Sequence, residues 1–275
     1  MIFFRLLKIS RPKFWHYVAG PFLLGSIFIV EQNPILIFPA LAGFFWFLFF
    51  GNLFVYGIND LYDQDTDVFN EKKNEVDEVL LQDKEQKMLK ISLVVSVLSG
   101  GFFLFISWFS AVNWLLFMFF SWQYSGTPIR AKSKPFLDGI FNVLYILPAG
   151  VALGLGSQTL PISLFIAGTL WCMAMHAFSA IPDIVPDKKA GLQTTATFLG
   201  WRNTLLYCLG CYLIIFYVLP GVFLKLLLLP YLVIVGILYF KNADSVRKFY
   251  PYFPWLNLLV GAGLFFYIVS IVSGF

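Results

Sequence analysis

Two clusters of carboxylates interrupt an otherwise apolar chain, and each lies where a long hydrophobic segment gives way to a polar loop. The first spans residues 59–67 and reads Asn-Asp-Leu-Tyr-Asp-Gln-Asp-Thr-Asp; the second spans 183–187 and reads Asp-Ile-Val-Pro-Asp. A carboxylate beside apolar surroundings is costly to dehydrate, so it calls for a positive partner. Hard divalent cations such as Mg²⁺ take oxygen ligands of this kind. Together the clusters predict a site that holds Mg²⁺ ions and, through them, a diphosphate.

Helical spacing would place the carboxylates of the first cluster on one side of a helix. If the second apolar segment stays helical past residue 58, then Asp60, Asp63 and Asp67 follow Asn59 along nearly one face. Stacked like charges repel, and bound Mg²⁺ removes that repulsion. Two polar residues extend this face into the membrane and are candidates for contact with an acceptor: Asn52 and Tyr56.

The second cluster repeats the pattern, because Asp183 and Asp187 are also four residues apart. Pro182 and Pro186 indicate a helix that restarts or kinks here, since proline suits a first turn better than an interior. The alternative interpretation of both clusters is a pair of polar helix ends at the membrane surface. Three carboxylates in register beside an asparagine, echoed by a second pair, favour the metal site.

The composition is that of a polytopic membrane protein. Of the 275 residues, 59% are hydrophobic and only 12% are charged, and the mean hydropathy is +0.79. Lipid offers the backbone no hydrogen-bond partners, so the apolar segments are expected to be helices. The chain is therefore expected to be all-α, a single membrane-embedded domain over residues 1–275 with about nine transmembrane helices. Those segments are near 14–30, 35–58, 89–108, 112–125, 139–156, 160–181, 204–220, 222–240 and 252–274.

Nine crossings would place every lysine and arginine except Lys225 on one side of the membrane. By the positive-inside rule that side is cytoplasmic, so the N-terminus lies inside. The polar stretches 59–88 and 182–203, which carry the acidic clusters, are then cytoplasmic loops. The first apolar run lacks a small-residue cleavage pattern and predicts a retained anchor. These features predict an integral protein of the cell (inner) membrane, with the lipid bilayer and no nucleic acid among its partners.

The paired clusters resemble the two motifs of the UbiA-type intramembrane prenyltransferases. Residues 59–67 match the first motif, NDxxDxxxD, and Asp183, Asp187 and Gly191 match the second. Three further tracts resemble the branch of that family that includes lycopene elongases: Ser10–Trp15, Tyr124–Lys132 and Met175–Asp183.

The resemblance implies a helical bundle around a central cavity that opens toward lipid. It also implies Mg²⁺-dependent transfer of a prenyl group from an allylic prenyl diphosphate to a lipophilic acceptor. Dimethylallyl diphosphate and lycopene, or a related carotenoid, are the expected pair. The alternative is an aromatic acceptor in quinone or related lipid synthesis. By the same resemblance Asn59, Asp60, Asp63, Asp67, Asp183 and Asp187 are expected to be catalytic, the five aspartates through Mg²⁺.

Basic residues near the clusters are candidates for contact with the diphosphate. The broader family has a YxxxK motif, but here Tyr124 is followed four residues later by Pro128, so the match fails at the lysine. Arg130 and Lys132 are expected to take that role, because arginine suits forked phosphate contacts. The alternative is that they only mark the cytoplasmic side. The weaker diphosphate candidates are Arg11, Lys188 and Tyr124 itself.

His176 lies seven residues before Asp183, which places it two helical turns deeper on the same side. It is a candidate for proton transfer or acceptor binding, and a packed, hydrogen-bonded histidine is the alternative. Asp138 and Asn142 could line the same mouth, or Asp138 could simply favour a helix start. The three cysteines are expected to be packing residues. A transporter is a remote alternative, because such sites usually lie near the midplane and these acids lie at one surface.

Overall fold

The computed structural model describes residues 2–64 and 83–274, and within these residues every regular element is a helix. The first-half α-helices are α1 (Ile2–Ile9), α2 (Trp15–Gln32), α3 (Ile37–Phe45), α4 (Asn52–Tyr62), α5 (Asp83–Gly100), α6 (Trp108–Ser125), α7 (Leu137–Ile140) and α8 (Leu147–Leu155). The second-half α-helices are α9 (Ile162–Ala180), α10 (Ile184–Lys189), α11 (Thr195–Val218), α12 (Val222–Leu226), α13 (Leu229–Tyr239), α14 (Ala243–Phe249) and α15 (Phe253–Val272). The all-α prediction is confirmed.

Eight helical stretches in the described residues are long and apolar enough to cross a membrane. They are Pro12–Gln32, Pro34–Tyr62, Glu85–Phe105, Leu137–Leu155, Ile162–Ala180, Thr195–Val218, Val222–Tyr239 and Ala243–Val272. Large apolar side chains point outward from them; Phe105 is 89% exposed and Leu98 is 74% exposed. Such a surface would be unfavourable in water, and it suits contact with lipid chains. The chain is an integral membrane protein.

The remaining predicted segment, near 112–125, is helix α6. At 18 residues it is about 27 Å long, close to the thickness of a bilayer core. Asn113 and Gln123 make it more polar than the eight spans above. It begins at Ser107, whose Oγ accepts a hydrogen bond from the Ser110 backbone N–H at 3.1 Å, a standard N-cap.

The chain forms two compact units. Unit one comprises Met1–Arg130 and Leu144–Thr159, and unit two comprises Ala131–Val143 and Leu160–Phe275. In unit one every residue of α8 is buried, and the helix packs against α2 and α6. Its small residues permit this, because a Cβ on Gly154 would collide with the Ser110 backbone.

A second cluster of unit one fixes the helix that carries the first acidic cluster. Ile9 from α1, Leu53 and Ile58 from α4, and Leu89 and Leu93 from α5 form a buried apolar core. Helix α4 is thereby held on two sides, by the N-terminal helix and by α5. Apolar packing thus contributes to the position of its C-terminal end.

Unit two is built on the packing of α9 against α11. The Cys208 thiol donates to the Ala174 carbonyl at 3.3 Å, and all three cysteines are free and buried, which agrees with the predicted packing role. Gly200, with φ 74°, interrupts α11 near its start. A residue with a side chain rarely adopts this conformation. Helical structure starts at Thr195, before the predicted apolar segment at 204, because Arg202 and Asn203 interrupt the apolar pattern there.

Candidate functional site

The first acidic cluster lies at the C-terminal end of α4. The helix continues past residue 58, the condition set for a shared helical face, but it ends at Tyr62. Asn59 and Asp60 are therefore helical and not part of the predicted loop 59–88, whereas Asp63 lies beyond the helix and does not continue its face. Asp60 is 2% exposed and Asp63, the first residue after the helix, is 4% exposed. The Asn59 side-chain oxygen accepts a hydrogen bond from the Ser125 hydroxyl at 3.0 Å. Asp67 lies outside the described residues.

Arg11 is the cation of this cluster in unit one. Its guanidinium donates to Asp60 Oδ1 at 3.0 Å, and its Cζ lies 4.7 Å from the centre of the Tyr56 ring. A buried carboxylate is tolerated only when it is paired or hydrogen-bonded. The pair therefore explains how α4 can carry a charge at a site where only 2% of Asp60 is exposed.

The tract Ser10–Trp15 folds into a tight turn that presents Arg11 to the cluster. The indole N–H of Trp15 donates to the Ser10 carbonyl at 3.1 Å, and the Ser10 hydroxyl donates to the Leu7 carbonyl at 2.7 Å. Arg11 itself has φ 52°, in the left-handed region, and Pro12 begins a short 3₁₀ turn after it. A strained non-glycine residue at this point is consistent with a functional constraint.

Aromatic rings lie beside the Arg11–Asp60 pair. The Phe14 ring is 6.2 Å from that of Tyr56, and Tyr56 shares a side-chain hydrogen bond with Tyr145. The Tyr145 ring is in turn 6.1 Å from that of Tyr17. We call Phe14, Tyr17, Tyr56 and Tyr145 the aromatic wall. Tyr17 and Tyr145 were missed in the sequence, because nothing marks them among the 13 tyrosines.

Asn52 is the first residue of α4, one helical turn before Tyr56. It directly follows a π-helical stretch over Trp46–Gly51. Its amide donates to the Phe47 carbonyl at 2.9 Å and to the Leu48 carbonyl at 3.1 Å. The side chain is fully buried, and its oxygen has no hydrogen-bond partner among the described residues. The amide nitrogen of Asn52 thus donates to two carbonyls of the π-helix, and its side-chain oxygen remains as a hydrogen-bond acceptor in the interior. Single π-helical turns often mark functional sites.

A buried glutamine shapes the loop that carries the predicted phosphate-binding tract. The Gln123 amide donates to the Thr127 carbonyl at 3.2 Å and accepts from the Ile129 N–H at 3.1 Å. The Arg130 N–H donates to the Gly126 carbonyl at 2.8 Å. Gln123 is therefore a structural residue of this loop. In the sequence, its position one residue before Tyr124 was the signal that could have identified it.

The second acidic cluster belongs to unit two and has a different local structure. Helix α9 ends at Ala180, and Asp183 is the N-cap residue of the short helix α10, so the predicted restart is confirmed. The Asp187 N–H donates to the Asp183 carbonyl at 2.8 Å. Both side chains are half-buried, and Lys188 is exposed. Lys132, also in unit two, is 8% exposed within a 3₁₀ turn over Ala131–Ser133.

Asp138 and His176 form a pair inside unit two. His176 Nε2 is 3.5 Å from Asp138 Oδ2, and that carboxylate also accepts from the Thr195 N–H at 2.7 Å and from the Thr195 hydroxyl. Asn142 donates from its amide to the Asp138 carbonyl at 2.6 Å. Asp138 is fully buried, so it ties α7 to α9 and α11, instead of lining an open mouth.

The donor set suits a hard cation. The described members of the two clusters offer only carboxylate and amide oxygens, which Mg²⁺ prefers and Zn²⁺ uses less often. Among residues 2–64 and 83–274, no group of three or more histidines, cysteines or acids is already assembled around one point. Mg²⁺ commonly takes one or two carboxylates and completes its shell with water and substrate phosphate, so the donor types of each cluster suit it.

These features define a membrane-embedded helical protein with oxygen-donor clusters at the ends of apolar helices. The profile of the UbiA prenyltransferase family matches residues 18–253. The chain belongs to this family and is a prenyltransferase.

Particular relatives agree with that assignment. A lycopene elongase/hydratase of Haloarcula japonica is 39% identical over 93% of this chain and 88% of its own length. A lycopene elongase/hydratase of Halobacterium salinarum is 39% identical over 93% of this chain and 94% of its own. The solved structure of a UbiA homolog from Archaeoglobus fulgidus bound to DMAPP and Mg²⁺ has a TM-score of 0.67 at 21% identity. That match covers 97% of this chain and 99% of the homolog. It supports the shared fold.

Proposed function

We propose that this protein transfers a C5 prenyl group from dimethylallyl diphosphate to lycopene or a closely related carotenoid. The observation that carries the proposal is the similarity, over nearly the whole chain, to proteins named lycopene elongase/hydratase. The sequence matches at Ser10–Trp15 and Tyr124–Lys132 point to the same branch. The carotenoid acceptor is oily, and a protein with an apolar outer surface can receive it from the bilayer.

The acidic residues are proposed to hold the diphosphate end of the donor through Mg²⁺. The residues assigned to Mg²⁺ are Asp60, Asp63, Asp67, Asp183 and Asp187, with Asn59 beside them. When bound, the metal neutralises charge that develops on the leaving diphosphate. Direct contacts to phosphate oxygens are assigned to Arg11, Tyr124, Arg130, Lys132 and Lys188.

Arg11 is proposed to have two roles in this reaction. With one face on Tyr56 and one nitrogen on Asp60, its guanidinium is fixed before substrate arrives. A fixed cation costs little reorganisation when negative charge develops on the leaving group. Arginine suits contact with phosphate as well as with a carboxylate, because its planar fork presents several N–H donors.

The aromatic wall is proposed to favour the positive charge that forms on the prenyl group. Ring faces attract cations over distances up to about 6 Å, and apolar surroundings keep water from capturing the cation early. Tyr56 already holds one cation, the Arg11 guanidinium, at 4.7 Å from its ring centre. Together with Asn52 and His176, Tyr56 is also a candidate for contact with the acceptor.

We also propose an orientation of the chain in the membrane. Every lysine and arginine except Lys225 would lie on one side of a nine-crossing chain. We assign that side to the cytoplasm of the cell membrane, where the acidic clusters would meet a water-soluble donor.

Expression in a lycopene-producing bacterial host tests the acceptor. We expect carotenoids heavier than lycopene by one or two C5 units, detected by mass spectrometry, and none from the Asp63→Asn variant. Prenylation of an aromatic lipid in the same cells, with lycopene unchanged, would show that the acceptor is aromatic and not a carotenoid. The assignment of the prenyl donor would stand.

A further inference from the structure

Helix α1 carries apolar and basic residues on different sides. Its eight residues read Ile-Phe-Phe-Arg-Leu-Leu-Lys-Ile. Leu6 and Ile9, about one turn apart, pack into the apolar core with α4 and α5. The other sides of the helix are open: Phe3 is 60% exposed, Phe4 is 69% exposed, and Lys8 is exposed as well. Two neighbouring phenylalanines in the open favour a partner of apolar chemistry.

Two contacts of α1 fix the direction in which its sides face. The Phe3 ring is 6.0 Å from the ring of Phe49, which lies well inside the apolar stretch that ends at Tyr62. On another side of the helix, the Arg5 guanidinium donates to Glu85 Oε2 at 2.8 Å, and Glu85 is the first residue of its own apolar stretch. Phe3 is therefore directed toward the membrane interior, and Arg5 is directed toward the polar boundary.

The chain connection keeps α1 at the surface of the bilayer. The first apolar stretch, Pro12–Gln32, begins only three residues after the end of α1 at Ile9. Trp15, at the start of α2, has its ring 6.4 Å from that of Phe49, and tryptophan is enriched at membrane interfaces. A helix that has phenylalanines on one side, basic residues on another and a short tether to a membrane span has the features of an interfacial helix.

The charge at this edge of unit one is suited to an anionic headgroup. Lys87 and Lys90, near the start of α5, are exposed like Lys8, and the flexible stem of a lysine lets its ammonium reach headgroup level. The nearby carboxylate of Glu85 is already paired with Arg5. Exposed lysines beside the bilayer attract anionic lipids.

We propose that α1 is an interfacial helix that binds anionic phospholipid. Phe3 and Phe4 insert among the lipid chains just below the headgroups, and the Lys8 ammonium contacts the lipid phosphate. The arrangement is independent of the acceptor that the enzyme prenylates, so it can be tested without measuring turnover.

Nitroxide labels measure the depth of α1 in lipid vesicles. Phe4→Cys and Lys8→Cys are labelled separately in the full chain; all three native cysteines are buried, and wild type treated alike gives the background signal. We expect oxygen, which concentrates in lipid, to relax the label at position 4, and a water-soluble nickel chelate to relax the label at position 8. Lys189→Cys, at an exposed position on α10, is the aqueous control. Equal access of the chelate to labels at positions 4 and 189 would overturn the insertion.

Lipid titrations followed by native mass spectrometry test the choice of headgroup. We expect the purified protein to bind phosphatidylglycerol more tightly than phosphatidylcholine, and Lys8→Gln to weaken phosphatidylglycerol binding by about 5-fold, the contribution of one lysine near an anionic surface. Lys241→Gln removes the same charge from an exposed lysine of unit two and should have a smaller effect. Equal losses in the two variants would show a general charge effect and contradict a site at α1. Equal binding of the two lipids by the wild type would overturn the anionic ligand.

Discussion

The two acidic clusters share a chemistry but differ in how the fold holds them. Asp60 and Asp63 lie at the end of a tightly packed helix, are at most 4% exposed, and include a carboxylate paired with Arg11. Asp183 caps a six-residue helix and Asp187 lies on it; both are half-buried, and two lysines follow in its last turn. The first cluster is thus built into the interior of unit one, whereas the second lies near the surface of unit two. Substitutions in the first should affect both stability and activity, and substitutions in the second mainly activity.

The largest expected effect is that of Asp63→Asn. The amide keeps the shape but removes a charge assigned to Mg²⁺, so we expect prenyl transfer to fall by about 100-fold to 1,000-fold, comparable with the loss of one stabilising electrostatic contact. Radiolabelled donor in membrane vesicles measures this. Asp244→Asn, at an exposed carboxylate in the first turn of α14, is the control and should remain active. Full activity in Asp63→Asn would remove the metal assignment of the first cluster.

Asp187→Asn should reduce transfer by a similar factor while leaving the protein as stable as the wild type. Its side chain is half-buried on a short helix, so little packing depends on its charge. Parallel measurements of Tm and turnover separate the two effects. A large fall in Tm would contradict the expectation that substitutions in the second cluster affect mainly activity.

Arg11→Ala should be the most destabilising change at the first cluster. It leaves Asp60, whose side chain is 3% exposed, without its guanidinium partner, and removing one partner of a buried pair costs about 3–5 kcal/mol. Thermal unfolding in detergent measures the loss. Arg11→Lys is the matched control: it keeps the charge but not the planar contact with Tyr56, so it should recover part of the stability. Equal Tm in Arg11→Ala and wild type would show that the pair does not hold α4.

Gly57→Ala should have the smallest effect. The added Cβ would lie 3.0 Å from methyl carbons of Leu89 and Leu93, so α4 and α5 must separate slightly, at a cost of about 1 kcal/mol for flexible leucine ends. Gly20→Ala, in a helix of the same unit with nothing within 4 Å, is the control and should be neutral or slightly stabilising. A fall in activity specific to Gly57→Ala would link the packing of α4 to the site; no difference between the two variants would argue that this contact does not matter.

The sequence was sufficient for features that depend on local spacing. The restart or kink of a helix near Asp183 was predicted from two prolines a few positions apart, and the structure has a restart there. The continuation of α4 past residue 58 entered only as a condition, and the helix ends four residues later. The sequence could not predict contacts between distant residues, because many pairings are compatible with the same apolar pattern. Arg11 and Asp60 are 49 residues apart, and Asp138 and Thr195 are 57 apart. The π-helical stretch before Asn52 also has no signal, since a single bulge leaves the pattern of apolar residues almost unchanged.

One assay tests the central claim most directly. The purified protein in lipid vesicles receives Mg²⁺, radiolabelled dimethylallyl diphosphate and lycopene, with aromatic acceptors supplied in parallel reactions. We expect label in a carotenoid product and loss of that product when EDTA removes the metal. Label only in an aromatic product would contradict the carotenoid assignment, and transfer that persists after chelation would contradict the role given to the two acidic clusters.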